Sequence, residues 1–86
     1  MGGTHYLIFD KRRNTLYEGY SEADAKNTIS RESGIVTEEV YEEKGGSLVI
    51  RWNIYNKGSI SNGIQFTLTN RHQIEAWRDL ATKALE

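Results

Sequence analysis

The apolar and polar positions at the start of the chain predict a β-hairpin. Within His5–Phe9 the apolar residues fall on both parities, which is typical of an internal strand covered on both faces. The polar segment Asp10–Asn14 suits a turn, and Thr15–Tyr20 then predicts the returning strand.

A short helix is predicted after this hairpin. Ser21 suits the position before the first helical turn, because its hydroxyl can accept a hydrogen bond from a backbone N–H of that turn. We expect the helix to reach Glu32 and to end at Gly34 in the left-handed conformation that glycine adopts most easily. Its apolar stripe is thin, since it consists mainly of Ala25 and Ile29, so we expect the helix to be lightly attached to the core.

Two glycines divide the middle of the chain into a second predicted hairpin. Apolar and polar residues alternate over Ile35–Glu43, and a second strand is predicted over Ser47–Asn56. The second of these strands has the clearest core signal in the sequence, a row of large apolar residues at every second position: Leu48, Ile50, Trp52 and Ile54.

The register of this hairpin depends on the length of its loop. A three-residue loop over 44–46 would oppose Val40 to Ile50, whereas a two-residue loop at Gly45-Gly46 would oppose Val40 to Arg51. Cross-strand pairs of similar character stabilise a sheet, so we predict the three-residue loop.

The last third of the chain predicts a loop, a strand and a helix. Lys57–Gly63 is expected to be a flexible loop, and Ile64–Thr69 alternates as an amphipathic strand. Asn70 is a favourable cap for a final helix, and Gln73 stands in the capping-box position three residues later. The apolar face of that helix consists of Ile74, Trp77, Leu80, Ala81, Ala84 and Leu85.

Together these elements predict a single α+β domain over residues 1–86, in the order β-β-α-β-β-β-α. Residues 1–3 and 85–86 are expected to be tag-derived or disordered. We expect a mostly antiparallel sheet of about five strands with both helices packed on one face. The other face would be open and would show Tyr41, Val49, Arg51, Asn53, Tyr55, Gln65 and Thr67.

Composition and charge exclude several classes of protein. The 86 residues carry 11 Lys+Arg against 12 Asp+Glu, and a net charge of −1 argues against both a basic nucleic-acid clamp and an acidic DNA mimic. The absence of cysteine excludes a disulfide scaffold, a thiol nucleophile and a cysteine zinc site. The sequence shows no secretion signal and no apolar run that could span a membrane, so we expect a cytoplasmic protein.

The acidic residues are concentrated in one predicted strand. Residues 35–46 have a charge of −3, from four glutamates and one lysine, and the glutamates are Glu38, Glu39, Glu42 and Glu43. We interpret this strand as a sheet edge that charge protects from unwanted pairing. A docking site for a basic partner is the alternative, and catalysis or cation binding is less favoured. Glu39 is also expected to pair with Arg51.

No pattern in the sequence supports catalysis. His5 and His72 have no metal-ligand spacing with other ligating residues, and no histidine lies near Ser59 or Ser61 in the sequence. The segment 58–63 has the glycine spacing of a phosphate loop but lacks the lysine that should follow. We therefore expect a protein that is not an enzyme and that has no cofactor or metal.

The tyrosines indicate a protein-binding surface. A core of this size cannot accommodate all of the tyrosines with their hydroxyls bonded, and exposed tyrosine beside arginine is typical of protein interfaces. We predict a small regulator or inhibitor, of the immunity-protein or phage anti-defence type, that binds another protein or forms a homodimer. The predicted contact residues are Glu39, Tyr41, Glu43, Arg51, Asn53 and Tyr55.

The alternative function is binding of single-stranded nucleic acid through the open sheet face. Residues 45–70 contain no acid, so arginine and tyrosine there could neutralise a backbone and stack bases. A basic hairpin tip would contribute further cations. The residues predicted for this function are Lys11, Arg12, Arg13, Arg51, Tyr55 and Lys57.

Overall fold

The computed structural model describes residues 3–70, 72–73 and 75–76, and these residues form five strands, one ten-residue helix and a helical turn after the last strand. The elements are β1 (Gly3–Asp10), β2 (Thr15–Gly19), α1 (Glu22–Arg31), β3 (Ile35–Lys44), β4 (Ser47–Asn56) and β5 (Ser59–Leu68). All neighbouring strands are antiparallel, and their order across the sheet is β2-β1-β3-β4-β5. The predicted five-stranded antiparallel sheet is therefore confirmed for the described residues.

The first hairpin forms as predicted, and its turn is organised by Asp10. The Asp10 carboxylate accepts hydrogen bonds from the backbone N–H groups of Arg12 and Asn14, both at 2.9 Å. These bonds, led by the one from Asn14, lower the pKa of Asp10 below its ordinary value. Arg13 adopts a φ of 69°, so the tip of the turn contains a non-glycine residue in the left-handed region.

Helix α1 begins as predicted but ends differently. The Ser21 hydroxyl accepts a hydrogen bond from the Asp24 N–H at 3.2 Å, and Ala25 and Ile29 are buried. The prediction of a left-handed cap at Gly34 is wrong, because Glu32 ends the helix in an extended conformation (φ −86°, ψ 129°). The backbone N–H of Glu32 donates to the Ile29 carbonyl, which satisfies one of the last free carbonyls of the helix without glycine.

The predicted register between β3 and β4 is wrong by one residue. Lys44 pairs with Ser47 across a two-residue turn in which Gly45 and Gly46 have φ values of 56° and 84°. Two successive residues with positive φ form the turn whose twist matches that of the flanking strands. Val40 is consequently opposite Arg51, the pairing that the sequence analysis rejected.

This shift turns every side chain of β3 to the other face relative to β4. We call the face on which α1 packs the helix-side face, and the other the opposite face. The helix-side face carries Tyr6, Ile8, Val36, Glu38, Val40, Val49, Arg51, Asn53, Tyr55, Gln65 and Thr67. The opposite face carries Leu7, Phe9, Glu39, Tyr41, Leu48, Ile50, Trp52, Ile54, Ile64, Phe66 and Leu68.

The sheet buries apolar residues on both of its faces. The cluster between α1 and the sheet consists of Ala25 and Ile29 from the helix and of Tyr6, Ile8, Val36 and Val40 from the strands. On the opposite face Ile50 is 0% exposed, and it belongs to the apolar row of β4 that the sequence predicted. The face that was expected to be open is therefore the one that α1 covers in part. Val36 and Val40 of β3 pack against Ala25 and Ile29 of α1. The burial of these valines under the helix favours the observed register over the predicted one.

The predicted loop 57–63 is wrong, because most of it belongs to β5. Lys57 and Gly58 alone form the turn between β4 and β5, with φ values of 54° and 79°. The register shifts by one residue near the start of β5, which leaves Ser61 as a bulge between residues that pair with β4. The Ser61 hydroxyl donates to the Ile54 carbonyl at 3.2 Å and thereby fixes the bulge.

Asn70 begins a helical turn after β5. Its side-chain oxygen accepts a hydrogen bond from the His72 N–H at 2.7 Å, as expected of a helix cap, and His72, Gln73, Glu75 and Ala76 are helical. The remainder of the predicted C-terminal helix, including its apolar face, lies outside the described residues, as does its placement on the same face as α1.

Candidate functional site

The six residues predicted to contact a partner do not lie on one face of the sheet. Arg51, Asn53 and Tyr55 project from the helix-side face of β4. Their predicted neighbours Glu39 and Tyr41, together with Glu43, lie on the opposite face of β3. The observed register explains the separation, since β3 presents Glu38 and Glu42 to the helix-side face instead.

Glu38 is the centre of a polar cluster on the helix-side face. Its side chain is only 6% exposed although it carries a carboxylate. Its Oε1 accepts hydrogen bonds from Asn53 Nδ2 at 3.0 Å and from the Tyr55 hydroxyl at 3.3 Å. A buried carboxylate needs such donors because desolvation of an unpaired charge is costly. Asn53 and Tyr55, predicted as partner contacts, therefore have an internal partner in Glu38.

Arg51 extends the electrostatic influence of this cluster. Burial raises the pKa of Tyr55, and the negative charge and hydrogen bond of Glu38 raise it further, whereas the positive charge of Arg51 opposes the rise. Burial also raises the pKa of Tyr6, with Glu22 as the next cause, and Arg51 again opposes. The positive charge of Arg51 therefore lowers the pKa of both tyrosines. It also lowers the pKa of Glu22, the first residue of α1.

The opposite face holds a separate network around Glu39. The Tyr41 hydroxyl donates to Glu39 Oε1 at 2.7 Å, and Arg13 Nη2 lies 3.7 Å from Glu39 Oε2. The expected pairing of Glu39 with Arg51 is wrong, because the two residues lie on different faces. The Arg13 guanidinium also lies 4.7 Å from the centre of the Phe9 ring, within the range of a cation–π contact.

Cations gather at one end of the sheet, which we call the basic end. It comprises the β1–β2 turn, the C-terminus of α1 and the β4–β5 turn. The pairing of Asp10 with Val36 brings the first turn close to the start of β3, which follows α1. The Lys57 N–H donates to the Gly34 carbonyl at 3.4 Å, which brings the β4–β5 turn to the same place. Five cations and two acids lie there, a sum of +3: Lys11, Arg12, Arg13, Arg31 and Lys57 with Asp10 and Glu32.

The other end of the sheet, which we call the acidic end, has the reverse charge. It comprises the N-terminus of α1 and the last residues of β3. Among the described residues, four acids and two lysines lie there, a sum of −2: Glu22, Asp24, Glu42 and Glu43 with Lys26 and Lys44, of which Lys26 Nζ lies 2.9 Å from Glu22 Oε1. The net charge of −1 therefore hides a separation of charge along the strands. Of the residues predicted for nucleic-acid binding, Lys11, Arg12, Arg13 and Lys57 meet at the basic end, and Arg51 does not.

The edges of the sheet are β2 and β5, and the acidic strand is neither of them. β3 lies in the middle of the sheet, so the interpretation of its glutamates as charges that protect an edge is wrong. β5 is last in the strand order and pairs only with β4 among the described strands. Its ten residues include no charged side chain, and Ile60 and Ile64 are 60% and 58% exposed. An edge of this length and composition is open to pairing with another strand.

The first half of β5 was not predicted as a strand because of its composition. The serines, asparagine and glycine of 59–63 have low strand propensity, and they suggested a loop. The signal that could have found the turn is the Lys57-Gly58 pair, which follows the polar residue Asn56 and precedes alternating Ile60. A two-residue loop with glycine in second position is typical of a tight hairpin.

His5 and Glu18 form the nearest approach to a catalytic pair in the described part of the chain. His5 Nε2 lies 3.4 Å from Glu18 Oε2, and the His5 ring lies 5.1 Å from the ring of Tyr20. The arrangement can orient an imidazole, but the Glu18 side chain is 61% exposed, so water reaches its carboxylate freely. Across residues 3–70, 72–73 and 75–76, no three His, Asp or Glu side chains are placed to hold a metal ion.

No helix in the described ranges is long and apolar enough to cross a membrane. Comparison of the chain with protein-family models, with curated proteins and with solved structures gave no match.

Proposed function

We propose that this chain is a small non-enzymatic binding module that acts through protein–protein contact, and that its binding element is the edge strand β5. The observation that supports the proposal is the ten-residue uncharged edge with Ile60 and Ile64 exposed. Proteins usually protect such edges with charge or proline, and an unprotected one is suited to strand addition, in which backbone hydrogen bonds provide affinity.

The polar surface beside the edge suits the same function. Arg51 pairs with Gln65 across β4 and β5, so both project from the helix-side face next to the edge. Arginine and tyrosine are enriched at protein interfaces, and here Arg51 and Tyr55 lie on the same face of one strand. The proposed contact surface keeps Arg51, Asn53 and Tyr55, and it omits the acidic residues predicted earlier because those lie on the opposite face.

The biological setting is proposed from the sequence. A small cysteine-free chain without a catalytic arrangement fits a cytoplasmic regulator or inhibitor, of the kind found among immunity proteins and phage anti-defence proteins. The C-terminal helix is retained in this proposal on its sequence pattern and on the cap that Asn70 provides.

Site-specific photo-crosslinking in the native host tests the proposal. A photoreactive residue at Gln65, exposed on β5, is expected to form covalent adducts with one or a few defined proteins. The same residue at Asn27, exposed on α1, serves as the matched control and is expected to form none of them. Adducts that are identical from both positions, or absent from Gln65, would contradict the proposal.

A second variant then connects the adduct to the edge. The crosslinked protein is purified and its binding to the unlabelled chain is measured directly. Ile64→Lys places a charge on the edge, so we expect it to weaken binding at least about tenfold, as charged edges resist pairing. Binding unchanged by this substitution would remove β5 as the contact.

Nucleic-acid binding remains the second candidate, and the basic end is the observation that favours it. Phosphate contacts made by Lys11, Arg12, Arg31 and Lys57 would give affinity that falls steeply with salt. Fluorescence anisotropy of a labelled single-stranded oligonucleotide at low salt tests this directly. Salt-sensitive binding that is lost in a Lys11→Glu, Arg12→Glu double variant would support it, and no change in anisotropy would exclude it.

A further inference from the structure

We propose that the strand that pairs with β5 belongs to a second copy of this chain, added antiparallel so that two five-stranded sheets join along their β5 edges. The inference rests on the proposed function, because it names the occupant of the same edge. A two-fold axis perpendicular to the sheet generates this arrangement and leaves each face continuous across the junction.

The regular part of β5 determines where the axis lies. The bulge at Ser61 interrupts the strand near its start, so the uninterrupted segment is Asn62–Leu68, with Gln65 at its centre. A two-fold axis at Gln65 uses the whole segment on both copies. Gln65 of one copy then lies opposite Gln65 of the other, and the two side-chain amides can donate hydrogen bonds to each other and accept them.

The side chains of this segment complement a second copy of themselves. With Gln65 on the axis, Ile64 lies opposite Phe66 of the second copy, and the symmetry repeats this pair on the other side of the axis. Aliphatic–aromatic pairs of this kind stabilise antiparallel sheets. Gly63 lies opposite Thr67 of the second copy, and because glycine has no side chain there is room for that of Thr67. The exposed Ile64 is thereby covered beside Trp52, its neighbour on β4.

The distribution of charge favours the same arrangement. β5 begins at the basic end, after Lys57, and finishes at the acidic end, since Leu68 pairs with Leu48 and Leu48 with Glu43. An antiparallel second copy therefore brings the basic end of each copy alongside the acidic end of the other. The strand itself has no charge, and a net charge of −1 per copy adds little repulsion.

The first test measures the mass of the purified chain over a range of concentrations by sedimentation velocity. We expect a concentration-dependent dimer, and we expect Ile64→Lys to raise its dissociation constant at least about tenfold. Ile60→Lys is the matched control, because Ile60 is equally exposed on β5 but precedes the bulge, and it should leave the constant within about twofold. A monomer at all concentrations, or equal effects of the two substitutions, would overturn the proposal.

The second test determines orientation and register with single cysteines, which the absence of native cysteine makes unambiguous. Gln65→Cys should form an intermolecular disulfide, because residues that face each other across antiparallel strands have Cα atoms about 5 Å apart. Thr67→Cys is the control on the same strand and face. Its copies would lie about 13 Å apart, too far for a disulfide. Equal disulfide formation at both positions, or none at Gln65→Cys, would overturn the arrangement.

The outcomes separate this inference from the proposed function. If the chain is monomeric but the photoreactive residue at Gln65 still captures a different protein, the second copy is excluded and strand addition stands. If Ile64→Lys changes neither self-association nor the binding of a captured protein, the edge has no binding role and both fail.

Discussion

Gly63 lies directly beneath the side-chain amide of Asn53 on the helix-side face of the sheet. A Cβ atom at position 63 would lie 2.8 Å from Asn53 Oδ1, closer than such atoms approach in folded proteins. The amide occupies this space because its Nδ2 donates to Glu38. Glycine in an edge strand therefore has a packing role here, as it allows a polar side chain to lie flat over the backbone.

Gly63→Ala is expected to displace the Asn53 amide and weaken its hydrogen bond to Glu38. Loss of a bond to a buried carboxylate should lower the free energy of unfolding by about 1–3 kcal/mol. Urea denaturation measures the change. Gly34→Ala is the control, since no atom lies within 4 Å of the new methyl group and Gly34 has no positive φ. It should change stability by less than about 1 kcal/mol. Equal effects of the two variants would show that the Asn53 contact contributes nothing.

Removal of the Glu38 carboxylate is expected to leave its donors without an acceptor. Glu38→Leu should lower the free energy of unfolding by about 1–3 kcal/mol, because the half-buried donor groups of Asn53 and Tyr55 would lose their acceptor. Glu38→Gln retains an acceptor oxygen at the same position, and we expect it to stay within about 1 kcal/mol of wild type. Thermal and urea unfolding of both variants test this. A leucine variant more stable than wild type would show that burial of the carboxylate destabilises the fold by more than its hydrogen bonds stabilise it.

The stability of the fold should decrease in alkaline solution. Burial, followed by the influence of Glu38, raises the pKa of Tyr55 above its ordinary value of 10.0. As pH rises past about 10, the unfolded tyrosine loses its proton first, so the native state holds more protons and stability falls until the folded pKa is passed.

Tyr55→Phe isolates this contribution. The variant should show a shallower loss of unfolding free energy above pH about 10, and a residual slope from Tyr6, whose pKa is also raised by burial. Ultraviolet absorbance of phenolate gives the titration of Tyr55 as the difference between wild type and variant. Identical slopes for the two proteins would contradict the assignment.

The start of α1 should depend on Ser21. Ser21→Ala removes the hydroxyl that accepts from the Asp24 N–H, and a lost cap of this kind lowers stability by about 1 kcal/mol. Ser30→Ala, at an exposed position near the end of the same helix, is the matched control and should change stability by less than about 0.5 kcal/mol. Circular dichroism during urea denaturation measures both. A larger loss for the Ser30 variant would contradict the assignment of the cap.

The local pattern of apolar and polar residues predicted most of the elements. It also predicted which residues of a single strand share a face of the sheet. Alternation along β4 correctly grouped Ile50 with Trp52 on one face and Arg51 with Asn53 on the other, because side chains of a strand alternate regardless of its neighbours. The cap at Ser21 was likewise predictable, since it involves residues within a single helical turn.

The candidate site was predicted only in part, because it depends on how strands pair. Tyr55 and Arg51 were placed together correctly, but Glu39 and Tyr41 were joined to them through an incorrect register. The burial of Glu38 was not predictable, since it follows from the donors that the observed register brings opposite it.

The sequence by itself determined most of the elements, the apolar row of β4 and the near-neutral charge. The tertiary structure decided that β3 is central, that β5 is an edge, and that charge is divided between the two ends of the sheet. The reason is physical: side chains in a strand repeat every two residues, so one residue more or less in the turn at Gly45-Gly46 exchanges the faces of a whole strand. Strand order likewise depends on contacts between β1 and β3, which are distant in sequence and leave no local pattern.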